Sequence, residues 1–146
     1  MKICIGSDHG GFELKEYIKS FLKQKGYEVL DVGCASNQSV DYPVYGKSAA
    51  ELVNNGKYPK GILICTTGIG MSMVANKFQN VRAALCHNLD SAKMSRAHND
   101  ANLLVLGAKY VSPELAGEIL DVWLKCEFEG GRHSRRVSQI SNKSSD

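Results

Sequence analysis

The sequence predicts an α/β fold in which five parallel strands form one sheet with helices on both faces. Short apolar runs alternate with helical patterns along the chain, as in parallel sheets covered on both sides. The 146 residues suffice for one domain with an adequate core. A content of 43% hydrophobic and 23% charged residues is typical of globular proteins. With right-handed crossovers, this is a Rossmann-like three-layer α/β/α sandwich.

The predicted elements follow in order. Strands are expected at 2–7, 28–32, 61–65, 81–86 and 102–106. Helices are expected at 12–25, 43–55, after Gly70, at 91–99 and at about 112–126. The apolar face of the first helix is predicted to comprise Leu14, Tyr17, Ile18, Phe21 and Leu22. Gly26 can end that helix, while Ser112 and Pro113 are typical of the start of the last one.

Charge and targeting patterns exclude several classes of protein. The net charge of +3 suits a small anionic ligand better than nucleic acid. No apolar run reaches the length of a membrane span. The run at 3–5 is too short for a signal peptide, and Asp8 soon interrupts the apolar pattern. Five cysteines, an odd number without a C-x-x-C pair, are expected to be reduced thiols, so we expect a cytoplasmic protein.

Residues 65–70 (Cys-Thr-Thr-Gly-Ile-Gly) are the most informative stretch. A buried strand leads to Cys65, and a helical pattern follows Gly70. The exposed N–H groups of such a turn and the positive end of the helix dipole favour the binding of an anion. They also favour the thiolate form of a cysteine held there. The stretch therefore indicates an enzyme. A tight strand-to-helix turn with a buried cysteine is an equally open alternative.

The sequence does not match three other binding motifs. Gly68 and Gly70 begin a dinucleotide-binding pattern, but Met73 stands at its third glycine position. A P-loop pattern at 46–48 lacks its earlier glycine, because Asp41 stands there. The four histidines show no ligand spacing, so no metal is expected.

Three further segments complete a candidate site. Asp8 and His9 follow the first strand and should share a sheet edge with Cys65, although Asp8 could simply cap a helix. Arg132 and Arg136, four residues apart, would suit a phosphate if helical, or form a solvated basic helix end. His98 ends a helix and could be structural. Together these groups suggest proton transfer on a phosphorylated substrate without a cofactor.

Six segments also carry a family resemblance. They are 7–11 (SDHGG), 41–43 (DYP), 61–70 (GILICTTGIG), 75–77 (ANK), 95–102 (SRAHNDAN) and 129–133 (EGGRH). With these segments in this order, residues 2–140 resemble the sugar-phosphate isomerase family that includes ribose-5-phosphate isomerase B and galactose-6-phosphate isomerase subunits. The resemblance implies interconversion of D-ribose 5-phosphate and D-ribulose 5-phosphate in the pentose phosphate pathway, without metal or organic cofactor.

The resemblance also implies residue roles and an assembly. Cys65 would be the base that moves a proton between C2 and C1, with Thr67 as its hydroxyl partner. His98 would open the furanose ring with help from Asp8. Asn99 would bind a hydroxyl group of the sugar. The phosphate would be bound by His9, Arg132 and Arg136. The enediolate oxygen would be bound in an anion hole formed by the backbone N–H groups of Thr66, Thr67, Gly68, Ile69 and Gly70. The family forms dimers or tetramers, so we expect a homodimer or homotetramer in which a neighbouring subunit supplies His98 and Asn99.

Two residues depart from the family pattern. Thr66 stands where glycine is common, which restricts the backbone and bears on substrate choice. Lys109 replaces an arginine that reaches the phosphate, keeping the charge but losing the planar fork. The alternatives are an isomerase of allose 6-phosphate or galactose 6-phosphate and, from another class, a binder of phosphorylated sugars or nucleotides without activity.

We expect one domain over residues 1–146, whose C-terminal part, about 127–146, completes the phosphate site. The polar, serine-rich tail at 141–146 is predicted to be disordered.

Overall fold

The computed structural model describes residues 1–141 of the chain. Its strands are β1 (Lys2–Ser7), β2 (Glu28–Asp31), β3 (Lys60–Cys65), β4 (Ala83–Leu85) and β5 (Leu103–Gly107). Its helices are α1 (Phe12–Gln24), α2 (Tyr42–Asn54), α3 (Ile69–Ala75), α4 (Leu89–Ala97), α5 (Pro113–Lys125) and α6 (Arg132–Ser138), and a short 3₁₀ turn spans His9–Gly11. Most of the tail predicted to be disordered, residues 142–146, lies outside the described residues.

The five strands form one parallel sheet in the order β2-β1-β3-β5-β4, which confirms the predicted fold class. Strand order reverses between β1 and β3, where Ser7 pairs with Ile64. Cys65, at the end of β3, pairs with Gly107 of β5. Ligands of open parallel sheets bind at such a reversal, beyond the carboxyl ends of the strands. The fold therefore places the segments after β1 and β3 where a ligand site is expected.

Helices cover both faces of the sheet. Helices α1, α4 and α5 pack on one face, in a core that contains the fully buried Trp123. Helices α2 and α3 pack on the other face, in a core that contains Met71. Burial also raises the pKa of the Cys4 thiol, in β1, to about 12, so Cys4 packs as a small apolar residue, as its strand position predicts. No helix within residues 1–141 is long and apolar enough to cross a bilayer.

The predicted apolar face of α1 is wrong at one position. Tyr17 is 41% exposed, whereas Lys15 is fully buried. The buried stripe is centred on Leu14, Ile18 and Leu22, and at about 100° per residue Lys15 falls nearer its centre than Tyr17 does. A lysine can occupy this position because its ammonium group finds partners there.

Those partners come from β2 and the loop that follows it. Lys15 Nζ donates to Asp31 Oδ2 at 2.7 Å and to the Cys34 carbonyl oxygen at 2.8 Å. Lys19 Nζ also reaches Asp31 Oδ2, at 2.9 Å. Although burial raises the pKa of Asp31, the hydrogen bonds from Lys15 and Lys19 outweigh it and hold that pKa below its ordinary value. This network ties α1 to the edge strand.

Some element boundaries also differ from prediction. Helix α4 begins two residues early, at Leu89, because the Asn88 side chain accepts the Ser91 N–H at 2.8 Å and caps it. Strand β4 is shorter than predicted. Before it, the Arg82 N–H donates to the Asn102 side chain instead of a neighbouring strand. Neither change moves the predicted site residues off the ends of their elements.

Candidate active site

Cys65 lines a cleft at the carboxyl edge of the sheet. Its side chain is 6% exposed at the end of β3. The cleft has a volume of about 410 Å³ and is lined by Asp8, Tyr42, Cys65, Thr66, Thr67, Ile69, Gly70 and Met73. The structure therefore brings together the carboxylate after β1 and the thiol after β3. We call this cavity the Cys65 cleft.

The turn after Cys65 engages its own polar groups. The Gly68 N–H donates to Cys65 Sγ at 3.2 Å, and the Ile69 N–H donates to Thr67 Oγ1 at 3.3 Å. The first bond points a backbone N–H at the sulfur. Two of the five N–H groups predicted for the anion hole thus have partners within the turn, which leaves those of Thr66, Thr67 and Gly70 as the better candidates for a ligand oxygen.

Glycine is required at position 68. Its φ is +78°, in the left-handed region. A Cβ there would overlap Leu85 Cδ1 and would lie 3.1 Å from both Gly107 N and Leu106 C. The chain can therefore turn sharply from β3 into α3 only without a side chain, and this turn aims the backbone at the cleft.

Asp8 caps a turn and also faces the cleft. It is 6% exposed, and its side chain accepts the Gly11 N–H at 3.2 Å, which caps the 3₁₀ turn. It also lines the Cys65 cleft. His9, beside it, accepts the Val40 N–H at Nδ1, at 3.1 Å. A neutral His9 therefore carries its proton on Nε2, as a donor.

A second cleft lies beside the first. It has a volume of about 420 Å³ and is lined by Gly10, Glu13, Leu14, Thr66, Ala108, Lys109, Val111 and Pro113. Thr66 lines both clefts, and its Oγ1 contacts the space that a Cβ on Gly10 would fill. Thr66 thus forms part of the wall between the clefts, and Lys109 is an exposed ammonium group in the second one.

His98, after α4, belongs to a different cluster. His98 Nε2 lies 3.7 Å from Glu129 Oε1, and His133 Nε2 lies 3.6 Å from the same oxygen. The two imidazole rings stack, with centroids 4.2 Å apart and 11° between their planes. Partial burial, with the nearby His98 and Arg132 charges, lowers the pKa of His133. We call these three residues the His98 cluster.

The arginines lie next to this cluster. The expected helix is present as α6, so Arg132 and Arg136 are one turn apart, and both are exposed. The Glu129 N–H donates to the Ala97 carbonyl oxygen at 3.0 Å, which fixes the C-terminal segment to the end of α4. Asn99 is exposed there too. The structure therefore groups His98, Asn99 and both arginines in one region.

The two groups of predicted residues do not meet within one chain. Helix α4 returns from the carboxyl edge of the sheet, so its end lies near the strand starts. Consistently, the Asn102 N–H, just before β5, donates to the Arg82 carbonyl oxygen, just before β4, at 3.0 Å. Cys65 ends a strand of six residues, which spans roughly 20 Å. Cys65 and His98 therefore lie at opposite edges of the sheet.

Two residues of these regions were not predicted from the sequence. Tyr42 begins α2 and lines the Cys65 cleft, where its ring occupies the space beside Gly70. Glu129 links His98 and His133. Both stand in segments that carry the family resemblance, and Glu129 precedes His133 by four residues. A search for carboxylate–histidine spacing, besides histidine–histidine spacing, would have found that pair.

The parallel sheet, with a thiol, a carboxylate and a glycine turn at its strand reversal, is typical of an α/β enzyme. Comparisons with known proteins agree. Residues 3–140 match the family described as Ribose/Galactose Isomerase. Ribose-5-phosphate isomerase B of Escherichia coli is 47% identical over 140 residues, covering 96% of this chain and 94% of that protein.

Two other comparisons are informative. The structure of Clostridium thermocellum ribose-5-phosphate isomerase B is 56% identical and superimposes with a TM-score of 0.94, over 96% of this chain and 95% of that one. D-erythrulose-4-phosphate isomerase of Pectobacterium atrosepticum is 42% identical over 141 residues, covering 96% of this chain and 93% of that protein. The chain belongs to the ribose/galactose isomerase family. It is an isomerase, and its class of substrate is sugar phosphates.

Proposed function

We propose that the protein interconverts D-ribose 5-phosphate and D-ribulose 5-phosphate through an enediolate. One observation carries the proposal: the Cys65 thiol shares a cleft with the Asp8 carboxylate and accepts the Gly68 N–H at 3.2 Å. A base of this kind needs both a stabilised anion and access to the carbon beside a carbonyl group. The family membership and the relatives' activities support the same reaction.

Proton transfer follows ring opening. Cys65 removes the proton from C2 of the open-chain aldose, and the negative charge moves to the carbonyl oxygen at C1, giving the enediolate. Backbone N–H groups of Thr66, Thr67 and Gly70 stabilise that oxygen, and one such donor is typically worth ~3 kcal/mol. The Thr67 hydroxyl is the partner of Cys65. After protons redistribute between the two oxygens, Cys65 returns its proton to C1, which leaves the ketone at C2.

Ring opening needs a second acid–base group. We assign it to His98 of the partner subunit, with Asp8 assisting at the ring oxygen and hydroxyl groups and Asn99 of the partner subunit binding a hydroxyl group. The cleft around Cys65 holds no histidine among its lining residues. Because His98 lies at the far edge of its own sheet, a second copy of the chain is the natural source of that imidazole.

The phosphate group anchors the substrate. We assign it to His9, whose Nε2 is the free donor position, to Lys109, and to Arg132 and Arg136 of the partner subunit. Two guanidinium groups one helical turn apart suit an anion with several oxygens. This arrangement makes α6 the part of the chain that completes the site, and the assembly a homodimer or homotetramer. All five cysteines are free, which suits the cytoplasm as its compartment.

The second candidate is the same reaction on a six-carbon phosphate, such as allose 6-phosphate or galactose 6-phosphate. Thr66 bears on this choice, because it stands between the Cys65 cleft and the second cleft. A residue larger than glycine shortens the space between the reacting carbons and the phosphate. Thr66 therefore favours the five-carbon substrate.

A turnover assay of the purified protein tests the function. Ribose 5-phosphate, allose 6-phosphate and galactose 6-phosphate are compared as substrates, each with and without a chelator. We expect the highest kcat/KM for ribose 5-phosphate and no loss on chelation. A higher kcat/KM for a six-carbon substrate would favour the second candidate. Binding without turnover of any of them would make the protein a sugar-phosphate binder.

A further inference from the structure

We propose that the His98 cluster binds a divalent transition-metal ion of the zinc class through His98 Nε2, Glu129 Oε1 and His133 Nε2. One potential ligand atom from each of these residues lies within 4.8 Å of the other two. Two imidazoles and one carboxylate are ligands that zinc, cobalt and nickel ions accept. Spacing in the sequence did not reveal the group, because one ligand comes from the end of α4 and two from the segment that starts α6.

The distances are close to those of a coordinated ion. Tetrahedral ligands with metal–ligand bonds of ~2.1 Å lie ~3.4 Å apart. Glu129 Oε1 is 3.6 Å from His133 Nε2 and 3.7 Å from His98 Nε2, so each of these pairs needs a shift of a few tenths of an ångström. The two imidazole nitrogens must approach each other more, which rotations of the His98 and Glu129 side chains permit because both are partly exposed.

Before an ion arrives, His133 and the backbone of Glu129 are held in place, whereas the His98 and Glu129 side chains have to rotate. His133 is 8% exposed, and its ring stacks on that of His98. Glu129 is anchored through its N–H to the Ala97 carbonyl oxygen at 3.0 Å, and it precedes His133 by four residues. The exposed side of the cluster leaves a position for water.

Nearby charges limit the affinity. Arg132 and Arg136 lie on the same helix as His133, and both guanidinium groups repel the positive charge that a divalent ion adds to the cluster. Glu129 is the acidic residue of the cluster that offsets them. We therefore expect weaker binding than at a structural zinc site with several thiolate ligands.

Binding would have a consequence for turnover, and this part rests on the proposed function. A metal ion on His98 Nε2 occupies the atom that the ring-opening step uses. The ion would therefore inhibit the enzyme, and a chelator would restore activity. The binding itself does not depend on the reaction.

Binding is tested with Co²⁺ and Zn²⁺ on the full chain, by calorimetry and by the Co²⁺ absorption spectrum. We expect one ion per chain, with no thiolate-to-cobalt charge-transfer band. The affinity for Co²⁺ and Zn²⁺ should fall at least tenfold in His133→Gln and in Glu129→Gln. It should be unchanged in the control variant His87→Gln, which removes a histidine outside the cluster. Glu129→Gln is the safer variant for folding, because that side chain is 57% exposed.

The outcomes separate the two proposals. No binding to the wild-type chain, a thiolate band, or equal binding in Glu129→Gln and the wild-type chain would overturn the metal site. Zinc inhibition of ribose 5-phosphate turnover should weaken tenfold or more in Glu129→Gln, relative to that variant's own basal rate. Binding with no inhibition of an active enzyme would keep the metal site and reject His98 as the ring-opening group.

Discussion

Replacing Gly68 by alanine should weaken both folding and catalysis, whereas the matched change at Gly56 should affect folding alone. Both glycines have a φ of +78°. Alanine in this left-handed conformation costs about 1–2 kcal/mol at either position. A Cβ at Gly56 meets no atom within 4 Å, so the only destabilisation expected there comes from the strained backbone conformation.

At Gly68 the new Cβ adds a steric cost. It would overlap Leu85 Cδ1, a flexible group that can move, but it would also lie 3.1 Å from backbone atoms of Leu106 and Gly107, which cannot. Overpacking of this kind costs about 1–3 kcal/mol. Gly68→Ala should therefore lower the free energy of unfolding by about 2–5 kcal/mol, and Gly56→Ala by about 1–2 kcal/mol.

Gly68→Ala should also lower kcat, because it distorts the turn that follows Cys65. Relief of the overlap moves the residue 68 N–H away from Cys65 Sγ, which it meets at 3.2 Å. The same shift displaces the neighbouring Thr67 and Gly70 N–H groups of the proposed anion hole, and loss of one such donor costs roughly 10²–10³ in kcat. Urea unfolding at one fixed protein concentration and kcat for ribose 5-phosphate check both parts. A stable Gly68→Ala variant with the kcat of the Gly56→Ala control would refute the role of the turn.

Three further predictions concern the phosphate group, substrate length and acid stability. Arg136→Ala should raise KM for ribose 5-phosphate about tenfold, a binding loss of ~1.4 kcal/mol, with little change in kcat. Arg135→Ala on the same helix is the control, and an unchanged KM in Arg136→Ala would remove that residue from the clamp. Thr66→Gly should raise kcat/KM for six-carbon relative to five-carbon phosphates, and a ratio that does not move would show that Thr66 sets no length limit. Asp31→Asn should lower the free energy of unfolding by about 3 kcal/mol at pH 7, because it removes the carboxylate nearest to the buried Lys15 ammonium group. Since the folded pKa of Asp31 is lowered, its contribution is present above the unfolded value and is lost as pH falls through the folded one. The gap between wild type and variant should therefore shrink below about pH 4 in urea unfolding, and a constant gap would contradict the assignment.

The sequence was sufficient for the sheet and for half of the site. Asp8 and Cys65 each follow a buried strand, and parallel strands must end at one edge, so their meeting needed no coordinates. The burial of Lys15 could not be predicted, because it depends on Asp31 and Cys34 from another part of the chain. The His98 cluster could not be predicted either, since it forms only when the C-terminal segment packs on the end of α4.

The role of Cys65 is tested most directly by following hydrogen exchange at the sugar carbons in D₂O. A base that accepts the C2 proton and returns it to C1 should release part of it to solvent, so the wild-type enzyme should incorporate deuterium at C1 of ribulose 5-phosphate during turnover, as seen by NMR. Cys65→Ala, with its fold confirmed by the same unfolding assay, should incorporate none above the rate without enzyme. Exchange at the wild-type rate in that variant would contradict the account.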